Sequence, residues 1–185
     1  MTPQLTLLIY VVVPHWLAAG FADWLCHRRS AIASTSGAPE SALHLVMLAE
    51  TGVPLLGALY LDVNALILGV LVAAFIAHEL TAWIDVRYAI ARRRVGVFEQ
   101  FVHSVLEMAP LAVIVLLASA HWPQWLALFG RGDEPARFAL VRSSEPPPIE
   151  YTVALAVAIF ALALAPYLEE LARGLRARAP KQNAG

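Results

Sequence analysis

Cysteine and charge are both scarce in this chain. Its one cysteine, Cys26, excludes an intrachain disulfide and any paired-thiolate zinc or redox motif. Charged residues fill only 15% of 185 positions and nearly cancel, to a net −1, so nucleic acid is not an expected partner. The opening MTPQLTLL holds no Lys or Arg, unlike the basic start of a secretory leader. What is abundant is apolar: 59% of residues are hydrophobic and the mean hydropathy is +0.66. A soluble domain carries about 45–50% apolar residues. The composition therefore predicts one integral membrane domain over residues 1–185.

Five runs approach the roughly 20 helical residues that a bilayer core demands. They are 5–26, 41–61, 65–85, 98–118 and 151–168. LDVN (61–64) is short enough to make the second and third an antiparallel hairpin, and Pro14 is expected to kink the first helix. Pro39 suits a helix first turn, with Glu40 beside the positive end of the dipole. Segment 119–150 is too polar to span. Its Trp122, Trp125 and Phe129 predict an interfacial stretch, and EPPP a stiff linker. Trp16, Trp24, Trp83 and Met108 read as packing or interface residues.

Basic residues set the expected topology. Segments 27–40, 86–97 and 169–185 hold ten Lys/Arg between them, against three in 119–150. The positive-inside rule then places the N-terminus outside and the C-terminus in the cytoplasm. ARRRVG and LRARAPK also offer contacts for anionic lipid headgroups.

This topology gathers ionisable residues. The first helix ends with Asp23 and His27; the second begins with Glu40 and His44 and carries Glu50 deeper in. The third ends with His78, Glu79 and Asp85, and the fourth begins with Glu99, His103 and Glu107. Steps of four drift by only about 40° on a helix, so the last three share a face. Seven of the fourteen acidic residues and four of the six histidines thus fall in one leaflet, the cytoplasmic one. His15 and His121 lie toward the other. A rise of 1.5 Å per residue sorts the set into a shallow layer (His27, Glu40, Asp85, Glu99), then Asp23 and His44, then a layer about 10–15 Å in (Glu50, His78, Glu79, His103, Glu107).

Ionisable groups in a bilayer are costly and normally face a partner or cavity. So many acids together would repel and protonate unless a cation joined them. Neutral imidazoles with carboxylates and no thiolate suit two or more divalent ions: iron first, with zinc or manganese as alternatives. A dinuclear site in a helical bundle takes about four carboxylates and two histidines. Eleven candidates exceed that, so some would orient the others.

The set resembles the site of di-iron carboxylate proteins, whose four-helix bundle supplies Glu and Glu-x-x-His ligands, and of membrane-bound non-haem di-iron oxidases and hydroxylases. The resemblance is one of site type and covers the first four helices. Partners here stand four residues apart instead of three, and the HxxxH and HxxHH boxes of desaturases are absent. It implies an all-α bundle of about five transmembrane helices holding a four-helix metal site. It also implies oxidation, hydroxylation or desaturation of a lipid-soluble substrate, with an electron donor.

Other readings stay open. A zinc-dependent lipid hydrolase would use Glu79 or Glu50 as catalytic base. A metal transporter or a haem protein would not be an enzyme. Singly, an HxxxE pair can be a structural hydrogen bond, His27 a helix-end cation, Glu40 a cap, and Glu79 a partner of Arg87. The Ala-rich fifth helix is expected to pack against the bundle or a second copy, and loop 30–40 to be a linker or a gate. The expected compartment is the bacterial inner membrane.

Overall fold

The computed structural model describes residues 2–178; Lys181, counted above with the basic tail, lies outside them. Five helices are long and apolar enough to cross a membrane: α1 (Pro3–Arg29), α2 (Ala38–Tyr60), α3 (Ala65–Ile90), α4 (Val97–Ala120) and α6 (Ile149–Ala177). A short α5 (Trp122–Leu128) follows α4. No β-strand occurs among the described residues.

Local chemistry sets the helix starts. Thr2 caps α1 through its hydroxyl on the Leu5 N–H at 3.3 Å. Asn64 caps α3 by accepting from the N–H groups of Leu66 and Ile67. Pro39 lies in the first turn of α2, which Gly37 enters at φ +69°, a conformation open to glycine. The loop before it is a compact turn built on Ile32–Ser34, with the Ser36 carbonyl accepting from the Tyr88 hydroxyl.

Pro14 is preceded by a π-helical turn, Leu8–Val12, and Pro166 follows a second one, Phe160–Leu164. The carbonyls four residues before these prolines, those of Tyr10 and Leu162, lie within the widened turns. That is where a proline ring would otherwise clash. Pro54 and Pro110 sit inside α2 and α4 without such a turn.

The bundle divides along its length. One half is an apolar core that includes Leu8, Val13, Leu55, Leu68, Val113, Leu117 and Leu155. At that end the irregular chain after α5 lies across the α2–α3 hairpin, with Asp62 N–H donating to the Val141 carbonyl at 2.8 Å and Ser143 N–H to Tyr60 at 3.0 Å. Buried Gln124 accepts from the Ala65 and Arg137 N–H groups. Outside, Val53, Ile76, Trp83, Val115 and Val157 are exposed, the inverted pattern of a surface that meets hydrocarbon. The other half buries Asp23, His27, Glu40, His44, Asp85, Glu99, His103 and Glu170.

The helices exceed the expected runs, most of all α6, which continues well past 168. Hydropathy falls at Glu169, but EELARGLRA consists mainly of good helix formers and nothing in it stops the helix. The fifth helix is therefore more than packing material: its last turns enter the polar half of the bundle.

Candidate metal centre

Two stacked histidines form the middle of the polar half. His27 of α1 and His44 of α2 lie with ring centroids 4.4 Å apart and planes 11° from parallel. Both are buried. The α6 carboxylate of Glu170, 0% exposed, spans them. Its Oε2 meets His27 Nδ1 at 2.9 Å and its Oε1 meets His44 Nδ1 at 3.0 Å. A carboxylate only accepts, so both Nδ1 atoms donate to it, and a neutral ring then presents a free lone pair at Nε2.

Those two Nε2 atoms have no hydrogen-bond partner among the described residues. Carboxylates nevertheless surround them. Asp23 Oδ1 lies 3.2 Å and Glu99 Oε1 3.4 Å from His27 Nε2, and Asp85 Oδ2 lies 3.4 Å from His44 Nε2. Two ligands about 2.1 Å from one tetrahedral ion stand about 3.4 Å apart. The spacing suits atoms sharing an ion, and equally the ion pairs of protonated imidazoles.

His103 of α4 joins through Nε2, 3.0 Å from Asp23 Oδ1. Tyr167, one turn before Glu170, donates to Asp23 Oδ2 at 3.3 Å and to the Gly20 carbonyl. Two groups of ligand atoms result, each within 4.8 Å: Asp23, His27, Glu99 and His103; and His27, Glu40 and His44. This buried cluster of His, Asp and Glu could hold metal ions.

Arg93, from the turn between α3 and α4, closes one side. Its Nε and Nη2 donate to Glu40, and Nη2 also donates to Glu99 at 2.5 Å. Burial alone would lower its pKa, but the hydrogen bonds and charges of Glu99 and Glu40 win and raise it, so the guanidinium stays charged. Asp23, Glu40, Asp85, Glu99 and Glu170 make five buried carboxylates against this one buried arginine. Four negative charges remain, and each uncompensated buried ion costs several kcal/mol. Two divalent cations would neutralise them; three histidine protons would leave one over.

Five expected residues stand outside both groups, and of these only Asp85 reaches a clustered imidazole, that of His44. His78 Nδ1 meets the Thr51 hydroxyl at 3.2 Å, and Glu50 accepts from Thr81 at 2.9 Å. Glu79 is half-buried with one oxygen unpartnered, and Arg87 stacks on Trp83 at 4.6 Å. Glu107, expected beside His103 as a ligand, lines a cavity of about 60 Å³ together with His78, Asp85, His44, His103 and Asp23. His15 bonds the Val11 carbonyl at 2.7 Å, far along α1 from the cluster.

Sequence reasoning missed Glu170, Tyr167 and Arg93. The available signal was the Glu169–Glu170 doublet directly after the fifth apolar run, at the bundle end where the other acids gather. Its neighbour Glu169 points elsewhere, accepting from Trp24 Nε1 at 3.1 Å and pairing with Arg28.

No protein-family model, no curated protein and no solved structure matches the chain. Fold and site together define a helical protein of membrane-spanning type with a buried histidine–carboxylate cluster.

Proposed function

We propose that the protein is a membrane metalloenzyme with a dinuclear histidine–carboxylate centre that oxidises, hydroxylates or desaturates a hydrophobic substrate. One observation carries this reading: Glu170 holds both Nδ1 atoms while the two Nε2 atoms stay unpartnered among carboxylates. Ligating histidines are commonly oriented by a carboxylate in this way. Protonated rings paired with the same carboxylates are the competing arrangement, and metal content separates the two.

In this reading His27, His44, His103, Asp23 and Asp85 bind metal, and Glu40 and Glu99 divide their charge between metal and Arg93. A mixed N/O set without thiolate favours iron, with manganese or zinc next. Bound iron would supply dioxygen reduction, with electrons from a donor at the cytoplasmic face. The chain's own residues fix two imidazole tautomers, neutralise the ions and exclude water with the buried walls of the cavity. Tyr167 holds Asp23 in place through its hydroxyl. The basic segments around Arg28, Arg29 and Arg92 to Arg94 support a cytoplasmic position for the cluster end of the bundle, and the proposed compartment is a bacterial inner membrane. A second copy of the chain and anionic lipids are the remaining proposed partners.

Elemental analysis of the purified protein with its optical spectrum tests this. Two irons per chain without a Soret band are expected. Zinc alone would transfer the site to a lipid hydrolase, with Glu107 on the cavity wall as the candidate base. A Soret band would mean haem, and metal-free protein would overturn the reading.

A further inference from the structure

A second cavity, about 220 Å³, lies between α1, α2 and α6 in the apolar half of the bundle. Every residue lining it is apolar, and Val53 on its rim is 67% exposed, so it opens toward lipid. Trp16 and Leu48 line this groove and also the smaller cavity at the histidine–carboxylate cluster. They form a shared wall.

The helix geometry explains the opening. α6 meets α2 closely through its second half, where a Cβ built on Gly174 would fall 2.7 Å from the Ala38 backbone nitrogen. Its first half, Ile149–Ile159, meets α2 at the other end, where the Tyr60 hydroxyl donates to Thr152 Oγ1 at 2.9 Å. Between these two contacts the helices leave the cavity, and the π-helical turn Phe160–Leu164 lies beside it. α2 also has glycine at 52, where a Cβ would stand 3.5 Å from the Trp16 ring. A larger side chain there would extend into the groove.

We propose that this groove seats one hydrocarbon chain of a membrane lipid or fatty acid and leads it past Trp16 and Leu48 toward the cluster. The lining offers no charged or accepting side chain, and the Trp16 indole N–H is its one side-chain donor, so headgroups and polar ligands gain little there. The inner cavity, about 60 Å³, admits a short stretch of chain: a water-sized group needs about 15 Å³. What happens to the chain at the cluster rests on the metal reading; its seating does not.

The test is photolabelling of the purified full-length protein in detergent with a diazirine-bearing C16 fatty acid, mapped by peptide mass spectrometry. Saturable labelling is expected on 45–56 and 155–164, competed by unlabelled oleic acid. Gly52→Leu should reduce it at least fivefold with metal content unchanged. Gly57→Leu, where a Cβ meets nothing within 4 Å, should leave it intact. Labelling that does not saturate, that spreads evenly to outer residues such as Ile76 and Val115, or that survives Gly52→Leu overturns the proposal. So does labelling that appears only when a dimer is diluted to monomers, which would give the groove to a second copy. Should Gly52→Leu not fold, the map of the unmodified protein still decides. Competed groove labelling in a metal-free protein would sink the metal reading alone, and a metal-loaded protein without it would sink this one alone.

Discussion

Glu170→Gln separates a metal centre from a hydrogen-bond network, because the change keeps the size of the side chain and alters what it can accept. The wild-type carboxylate accepts from His27 Nδ1 at 2.9 Å and from His44 Nδ1 at 3.0 Å. An amide offers one oxygen, so it satisfies one imidazole and turns an NH2 toward the other. That second ring must accept at Nδ1 and move its proton to Nε2, where it then donates to Asp85, Asp23 or Glu99. One nitrogen ligand is lost. Removing an orienting partner of this kind typically costs 10–100-fold in metal affinity, about 1.4–2.7 kcal/mol. Glu170→Leu is harsher, since it orphans two buried N–H groups at about 1–3 kcal/mol each, a large part of a typical stability of about 5–15 kcal/mol. The assay is metal per chain after dialysis against graded chelator, with thermal unfolding in detergent beside it. Glu170→Gln should lose metal at a chelator concentration at least tenfold lower, while still folding. A variant that keeps the wild-type chelator profile would refute the role assigned to Glu170.

Three further outcomes are expected. His103→Ala should lower metal content by at least one ion per chain, measured by elemental analysis, whereas His121→Ala, beyond the far end of α4, should not change it. Arg93→Met leaves Glu40 and Glu99 buried without their cation, a loss of about 3–5 kcal/mol in metal-free protein. Added divalent metal should then raise its Tm more than that of wild type, and an equal rise in both would remove Arg93 from the charge balance. Gly174→Ala drives a methyl group against the Ala38 backbone, and overpacking of this kind costs about 1–3 kcal/mol. Because Glu170 lies one turn earlier on the same face, metal retention should fall with the Tm; unchanged retention would show that this helix contact does not seat the carboxylate.

The five apolar runs and the α2–α3 hairpin were legible because length and hydropathy are local properties. The convergence of His27, His44, Glu40, Asp85, Glu99 and Asp23 was legible too, since alternating helix direction brings their ends to one side. Depth was harder. The cluster is little more than a helical turn thick, and His78 stands seven residues from Asp85, about 10.5 Å farther along α3 although on the same face. Glu107 stands eight residues beyond Glu99. Same-face spacing therefore placed both toward the cavity and not in the cluster. Arg93 escaped notice because a run of arginines reads as a solvated loop, and nothing local distinguishes the one that turns inward. Glu170 lay beyond the end of the apolar run, where hydropathy gives no account of how far a helix continues.

The distance in sequence between Glu170 and its two histidines has a consequence for biogenesis. Glu170 closes on His27 and His44 across 143 and 126 residues of sequence. During synthesis the first four helices leave the ribosome, and can enter the bilayer, before α6 exists. Until then the two imidazoles have no shared carboxylate to fix their tautomers. The complete histidine–carboxylate cluster thus forms only after α6 has docked. A chain cut before α6 would carry most of the candidate ligands without the carboxylate that orients two of them.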